Sequence, residues 1–174
     1  MTSAAGKSLP AIVLLLLAGC GYRVAGHADL LPKTIQTIAV PPFANVTTRY
    51  KLSDELPEAI TREFNTRTRY KVVSDPNAAD AILKGAIVNY VHYPTVADPT
   101  TGRATEVDLR VYMRVQLVER TTGKVLFTRP NLEVRERYEI SVDPKAYFEE
   151  SDAALARASK AAAQQIVTAI LSDF

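Results

Sequence analysis

The sequence predicts an α+β fold: a two-layer sandwich with two helices packed on one face of a mostly antiparallel sheet of four to five strands, in the order β-α-β-β-β-β-α. Three observations carry that expectation. Leu52, Leu56, Ile60 and Phe64 recur every fourth residue, with Ala59 beside them, which makes one face of an amphipathic helix. Val107, Leu109, Val111, Met113, Val115 and Leu117 alternate strictly with Asp108, Arg110, Tyr112, Arg114 and Gln116, the signature of a strand with one dry and one wet face. Phe148, Leu155, Ala158, Ala162, Ile166, Ala169 and Ile170 then share one face of a closing helix about 40 Å long.

Taken in order, the chain opens with Ala11–Ala18, a continuous apolar block behind Lys7 that is followed by small residues, the layout of a secretory signal. A bilayer core takes about 20 apolar residues, so this block is too short to span one. Residues 1–19 therefore read as an export signal, residues 20–34 as a tether broken by Gly26 and Pro32, and residues 35–174 as a single domain.

Within the domain, Ile35–Val40 is β-branched and apolar enough for a buried strand, and Pro41-Pro42 ends it because neither proline donates to a ladder. A loop, FANVTTRY, follows. Its Asn45-Val46-Thr47 triplet reads as turn chemistry, with Asn45 bonding its own backbone. Pro57 is tolerated only near a helix start, which places the start of the first helix close to Ser53 or Asp54, either of which could cap it. Arg62, Arg67 and Arg69 toward its end read as a solvated basic terminus or as a binding patch. Tyr70–Val73 is a short strand, and Ile82–Tyr93, apolar on both faces, is expected at the centre of the sheet.

Pro94–Gly102 reads as a turn-rich connection and Thr121–Lys124 as a hairpin turn. The return strand is expected to bury Leu126, Leu132, Val134, Tyr138 and Ile140, with Pro130 marking an edge or a bulge. Asp143-Pro144 supplies an N-cap and a first-turn proline for the last helix.

Charge and chemistry narrow the function classes. Lys and Arg number 21 against 19 Asp and Glu, which gives no overall field for nucleic acid. The two histidines, His27 and His92, have no partner at metal-ligand spacing, and no nucleophile elbow or phosphate-cradling glycine loop appears. The expectation is a protein without enzymatic activity, cofactor or metal. The single cysteine, Cys20, excludes an internal disulfide.

Leu17-Ala18-Gly19-Cys20 resembles the bacterial lipobox, which implies cleavage before Cys20 and acylation of that residue, the alternative being a chance cysteine at the end of an ordinary signal. More than one acyl chain makes anchoring stable rather than marginal. Gly21 stands where an aspartate would suggest inner-membrane retention, so the resemblance points to the outer membrane, periplasmic side.

Together with the lipobox and CGYR start, the segments TIAVPPFANVT, EAITREFNTRTRYKVVSDPNAADAILKGAIVNY and TTGKVLF resemble the lipopolysaccharide-assembly lipoproteins of the LptE family across nearly all of residues 20–174. The IAVPPFAN segment is also similar to one in other periplasmic lipoproteins, those that regulate cell-wall synthases or act in curli-type secretion.

The LptE resemblance implies a plug inside an LptD-type outer-membrane β-barrel, a role in assembling that barrel, and delivery of lipopolysaccharide to the cell surface. It also implies lipopolysaccharide contact at Arg103 and Lys145, which read otherwise as two solvated surface charges. Arg110, Arg114, Arg135 and Arg137 form a secondary set on the wet sheet face, where Asp108, Glu133 and Glu139 are available to neutralise them.

Overall fold

A computed structural model describes residues 31–141 and 143–172, and for 144–150 the backbone alone. The elements run β1 (Thr37–Ala39), β2 (Ala44–Asn45), α1 (Lys51–Arg67), β3 (Lys71–Val73), a 3-10 turn (Pro76–Ala78), β4 (Ala81–Ala97), β5 (Ala104–Glu119), β6 (Val125–Glu139) and α2 (Pro144–Ser172). The sheet order is β3-β1-β4-β5-β6, with the short β2 also beside β4. The long β4-β5-β6 meander is antiparallel, while β1, β2 and β3 add to it as parallel strands. The predicted α+β class holds, and β4 is central as expected only through Ile87, beyond which β5 is its one described neighbour.

The alternating segment performs as its pattern requires. Val107, Leu109, Val111, Met113, Val115 and Leu117 are each 3% exposed or less and face a single core shared with both helices. Leu52, Leu56, Ala59, Ile60 and Phe64 supply the α1 side, and Ala154, Leu155, Ala158, Ala162, Ile166 and Ile170 the α2 side. The alanines let α2 lie close, Ala169 is half-buried at the margin, and the Phe148 side chain lies outside the described residues. The helices run parallel and are tied at both ends. Lys51 Nζ meets Asp152 Oδ2 at 2.6 Å, and Arg67 Nη1 donates to Thr168 Oγ1 at 2.9 Å. Arg67 thus serves the helix pair.

Several boundaries differ from expectation for physical reasons. α1 begins at Lys51, not Ser53 or Asp54, with Tyr50 at the N-cap and no side-chain cap bond. Its entry is a tight turn, Leu52 N–H donating to Arg49 O at 3.2 Å and Ser53 N–H to Tyr50 O at 2.9 Å. β1 is shorter than Ile35–Val40, and the FANVTTRY loop contains β2. β4 runs on through Pro94 to Ala97, so the connection is Asp98–Arg103 rather than the expected Pro94–Gly102. Past β2 the strand has β5 as its one described neighbour, and a proline is tolerated on such an edge.

On β6 the buried residue near the hairpin is Phe127, while Leu126 is only half-buried. The cause is a bulge. Met113 pairs with Leu132 but Val115 with Arg129, which inserts one extra residue at Pro130 and Asn131. One inserted residue flips the side-chain phase, so Phe127 faces the core before Pro130 and the even positions Val134 and Tyr138 face it after. Pro130 therefore marks both an edge strand and a bulge.

Candidate functional site

The β4-β5 hairpin ends in a tight turn that carries Arg103. Asp98 Oδ1 accepts from the N–H groups of Thr100 at 2.7 Å and Thr101 at 2.8 Å. These bonds, Thr101 first, hold the Asp98 carboxyl below the usual carboxylate range. Asp98 N–H then donates to Arg103 O at 2.8 Å, and Gly102 supplies the left-handed residue, φ +67°, that closes the turn. Arg103 is exposed, and its guanidinium meets no partner among the described residues.

The start of α2 lies at this same end. Glu106 pairs with Glu139, Ile140 N–H donates to Thr105 O at 2.8 Å, and the helix begins at Pro144. The fold thus brings the backbone of Lys145 to the end of the sheet that bears Arg103; its side chain lies outside the described residues. At this end opens a groove of about 800 Å³ lined by Thr105, Glu106, Arg137, Tyr138, Glu139 and Arg157 among others. Two arginines and two glutamates share that lining, so it is no uniform anion cradle.

The secondary set behaves differently. Arg110 grips Asp108 Oδ2 with Nη2 at 2.9 Å and Nε at 3.2 Å, approaches Glu133 Oε1 at 3.8 Å and stacks on Tyr93 at 4.7 Å. Arg135 Nε donates to Glu133 Oε1 at 2.8 Å, and Arg137 lies 3.9 Å from Glu106. The Arg135 hydrogen bond is the chief reason that the Glu133 carboxyl is shifted down, and the Asp108 bond holds Arg110 more firmly charged. Three of the four arginines are therefore neutralised on the wet face. Glu106, rather than Glu139, completes the set. Arg114 alone is exposed without a partner among the described residues.

Sequence reasoning missed the residues that fix this frame. Asp80 Oδ2 accepts from Gln36 N–H at 2.9 Å, Thr37 N–H at 2.9 Å and Thr37 Oγ1 at 2.8 Å, pinning the entry of β1 to the start of β4. Tyr138 Oη and His92 Nδ1 share a 2.8 Å hydrogen bond, and burial, aided by the Arg49 charge, pushes the His92 imidazole down. Both pairings join residues more than forty positions apart, which no local pattern reports. The Asn45 turn was legible: Asn45 Oδ1 accepts from Thr47 N–H at 2.8 Å.

Among the described residues no group of His, Cys, Asp and Glu is arranged to hold a metal ion, and no helix is long and apolar enough to cross a membrane. Cys20 lies outside the described residues.

The family model described as LptE, lipopolysaccharide-assembly, matches residues 35–170. No curated protein matches the chain. Among solved structures, a lipoprotein from Caulobacter crescentus is similar at 16% identity and TM-score 0.55, over 76% of this chain and 88% of that one. Lipoprotein B from Nitrosomonas europaea is similar at 18% identity and TM-score 0.52, over 84% and 87%. Rare lipoprotein B from Shewanella oneidensis is similar at 16% identity and TM-score 0.50, over 78% and 95%. At these identities the likeness shows the shared fold.

Proposed function

Since the chain belongs to the LptE lipopolysaccharide-assembly family, we propose that it is an outer-membrane lipoprotein that plugs an LptD-type β-barrel, helps that barrel assemble, and assists lipopolysaccharide transport to the cell surface. The family match over residues 35–170 is the observation that carries this reading. Two physical features support it. The sheet face away from the helices neutralises most of its own charge, with Arg110, Arg135 and Arg137 set against Asp108, Glu133 and Glu106. Such a face suits the polar lumen of a wide barrel.

The fold also separates its ends. The chain enters through Leu31 and Ile35 beside the start of β4, whereas Arg103 sits past the far end of that strand, about 50 Å away at the usual rise per residue. Acyl chains on Cys20 would hold the entry end at the membrane. Barrel binding then becomes intramolecular in effect, because both partners share one bilayer. Arg103 and Lys145 would meet lipopolysaccharide phosphates, Arg as a bidentate reader and Lys as a point charge. No step in this role breaks or forms a bond on the protein, so it calls for no catalytic group.

The test is recovery from outer membranes in gentle detergent. An affinity-tagged chain should carry an LptD-like barrel with it at equal stoichiometry. Free lipoprotein alone would overturn the plug.

A further inference from the structure

The two long edges of the meander are built in opposite ways. β6 carries Arg129, Pro130, Glu133, Arg135, Arg137 and Glu139, the charges and proline that keep an edge strand from pairing with other chains. β4 has no Asp, Glu, Lys or Arg from Gly85 to Ala97, a run of GAIVNYVHYPTVA. Its neighbour β2 stops at Asn45, where the Asn45 turn diverts the chain, and beyond that point no described strand runs beside it.

The ladder parity shows which groups face that open lane. Ile140 N–H donates to Thr105 O, so odd residues of β5 from Thr105 onward turn their backbone groups to β6 and even ones to β4. The β4 partners of Asp108, Arg110 and Tyr112, namely Tyr93, Val91 and Asn89, therefore face β5. Tyr90, His92 and Pro94 turn outward. Tyr90 N–H is bound by Asn89 Oδ1 at 2.9 Å, in keeping with that direction. Pro94, which has no N–H to give, is placed where the inner ladder loses nothing. The N–H of His92 and the carbonyls of His92 and Pro94 thus point into the lane.

Exposed apolar side chains gather along the same lane. Tyr93 is 43% exposed and Val96 49%, both on β4; Val46 and Tyr50 are each 78% exposed in the loop that closes the lane's near end. That loop is tied to β4 by Val46 N–H donating to Ile87 O at 3.2 Å and by Arg49 over the Tyr90 ring at 5.5 Å. The remaining large exposed apolar residue among those described, Val125, lies at the opposite hairpin.

We propose that the lane beside Tyr90–Ala97 is a strand-addition site that takes an extended, uncharged segment of the barrel partner, in line with β2. Backbone groups on both sides of a ladder pair only with another extended chain, which defines the occupant's conformation. The missing charges and the flanking Tyr50, Tyr93 and Val96 define its apolar character. The barrel's identity as donor rests on the function proposed above.

Hydrogen exchange at single amides tests it, with the complex first isolated and its stoichiometry measured. In the free lipoprotein the outward His92 amide should exchange faster than the inward amides of Val91 and Tyr93. In the barrel complex its exchange should slow by about a hundredfold, as for an amide newly buried in a ladder. The double variant Thr95→Lys/Val96→Lys should lower barrel recovery about tenfold, whereas Val125→Lys should leave it unchanged. A complex that forms with His92 exchange unaltered overturns the strand-addition site and leaves the partnership standing. Protection that arises instead from a second copy of this chain overturns the proposed occupant. If no complex forms, the partnership and the site fall together.

Discussion

The ring of Phe43 lies directly over Gly85, in the space that a Cβ on that residue would occupy. Gly85 sits in β4, the central strand, and Phe43 is 3% exposed in the core. The segment PPF ends β1 and drops this ring onto the sheet, while the glycine of LKGA leaves it room.

Gly85→Ala should therefore destabilise the domain by about 1–3 kcal/mol, the usual cost of overpacking a filled core. Phe43→Ala should cost about 3–5 kcal/mol through the cavity it leaves. Because the two side chains compete for one volume, the double variant should be less unstable than the sum of the singles. Denaturant melts of the four proteins check this, and strict additivity would contradict it.

Asp80 makes stability depend on acid. Backbone bonds from Gln36 and Thr37, then the Thr37 hydroxyl, lower its pKa in the folded state. A depressed carboxyl contributes stability that is fully present above its unfolded value, about 3.9, and is lost as pH falls through the lower folded value. Asp80→Ala should cost about 1–2 kcal/mol at pH 7, discounted for its partial exposure to solvent. It should also flatten the loss of thermal stability below pH 4. An unchanged acid profile in the variant would show that other carboxylates govern it.

Arg103 and Lys145 are predicted to act together on phosphorylated lipid A. Arg103→Glu/Lys145→Glu should weaken binding at least about tenfold and reduce its salt dependence, since fewer phosphate contacts remain. Arg103 projects from the turn without a partner, so its loss should leave the melting temperature unchanged. Binding equal to the parent in a lipid A titration would remove both residues from the site.

Cys20→Ala should abolish acylation and release the protein to the soluble periplasmic fraction. Fractionation with mass spectrometry of the exported chain reads both effects. A variant still retained in membranes would mean that barrel contact alone holds it.

Much of this architecture was legible because it is written in periodic burial: the fourfold repeat of α1, the alternation of β5 and the apolar stripe of α2. Phase within β6 was not, because the bulge at Pro130 and Asn131 depends on pairing with Met113 and Val115. Leu126 and Phe127 are both apolar, and only that register selects Phe127 for the core. The start of α1 was misplaced because Tyr50 opens the helix through backbone turns rather than a side-chain cap. At the site, the opposed charges of β5 and β6 were visible as a pattern. That Arg137 reaches Glu106 and that Asp80 binds the entry to β1 required the folded register.

Crosslinking in intact cells, followed by identification of the attached protein, tests the central claim most directly. One dominant adduct is expected, between this protein and an outer-membrane β-barrel of the LptD type. A dominant adduct to a cell-wall synthase, with the barrel absent, would contradict it.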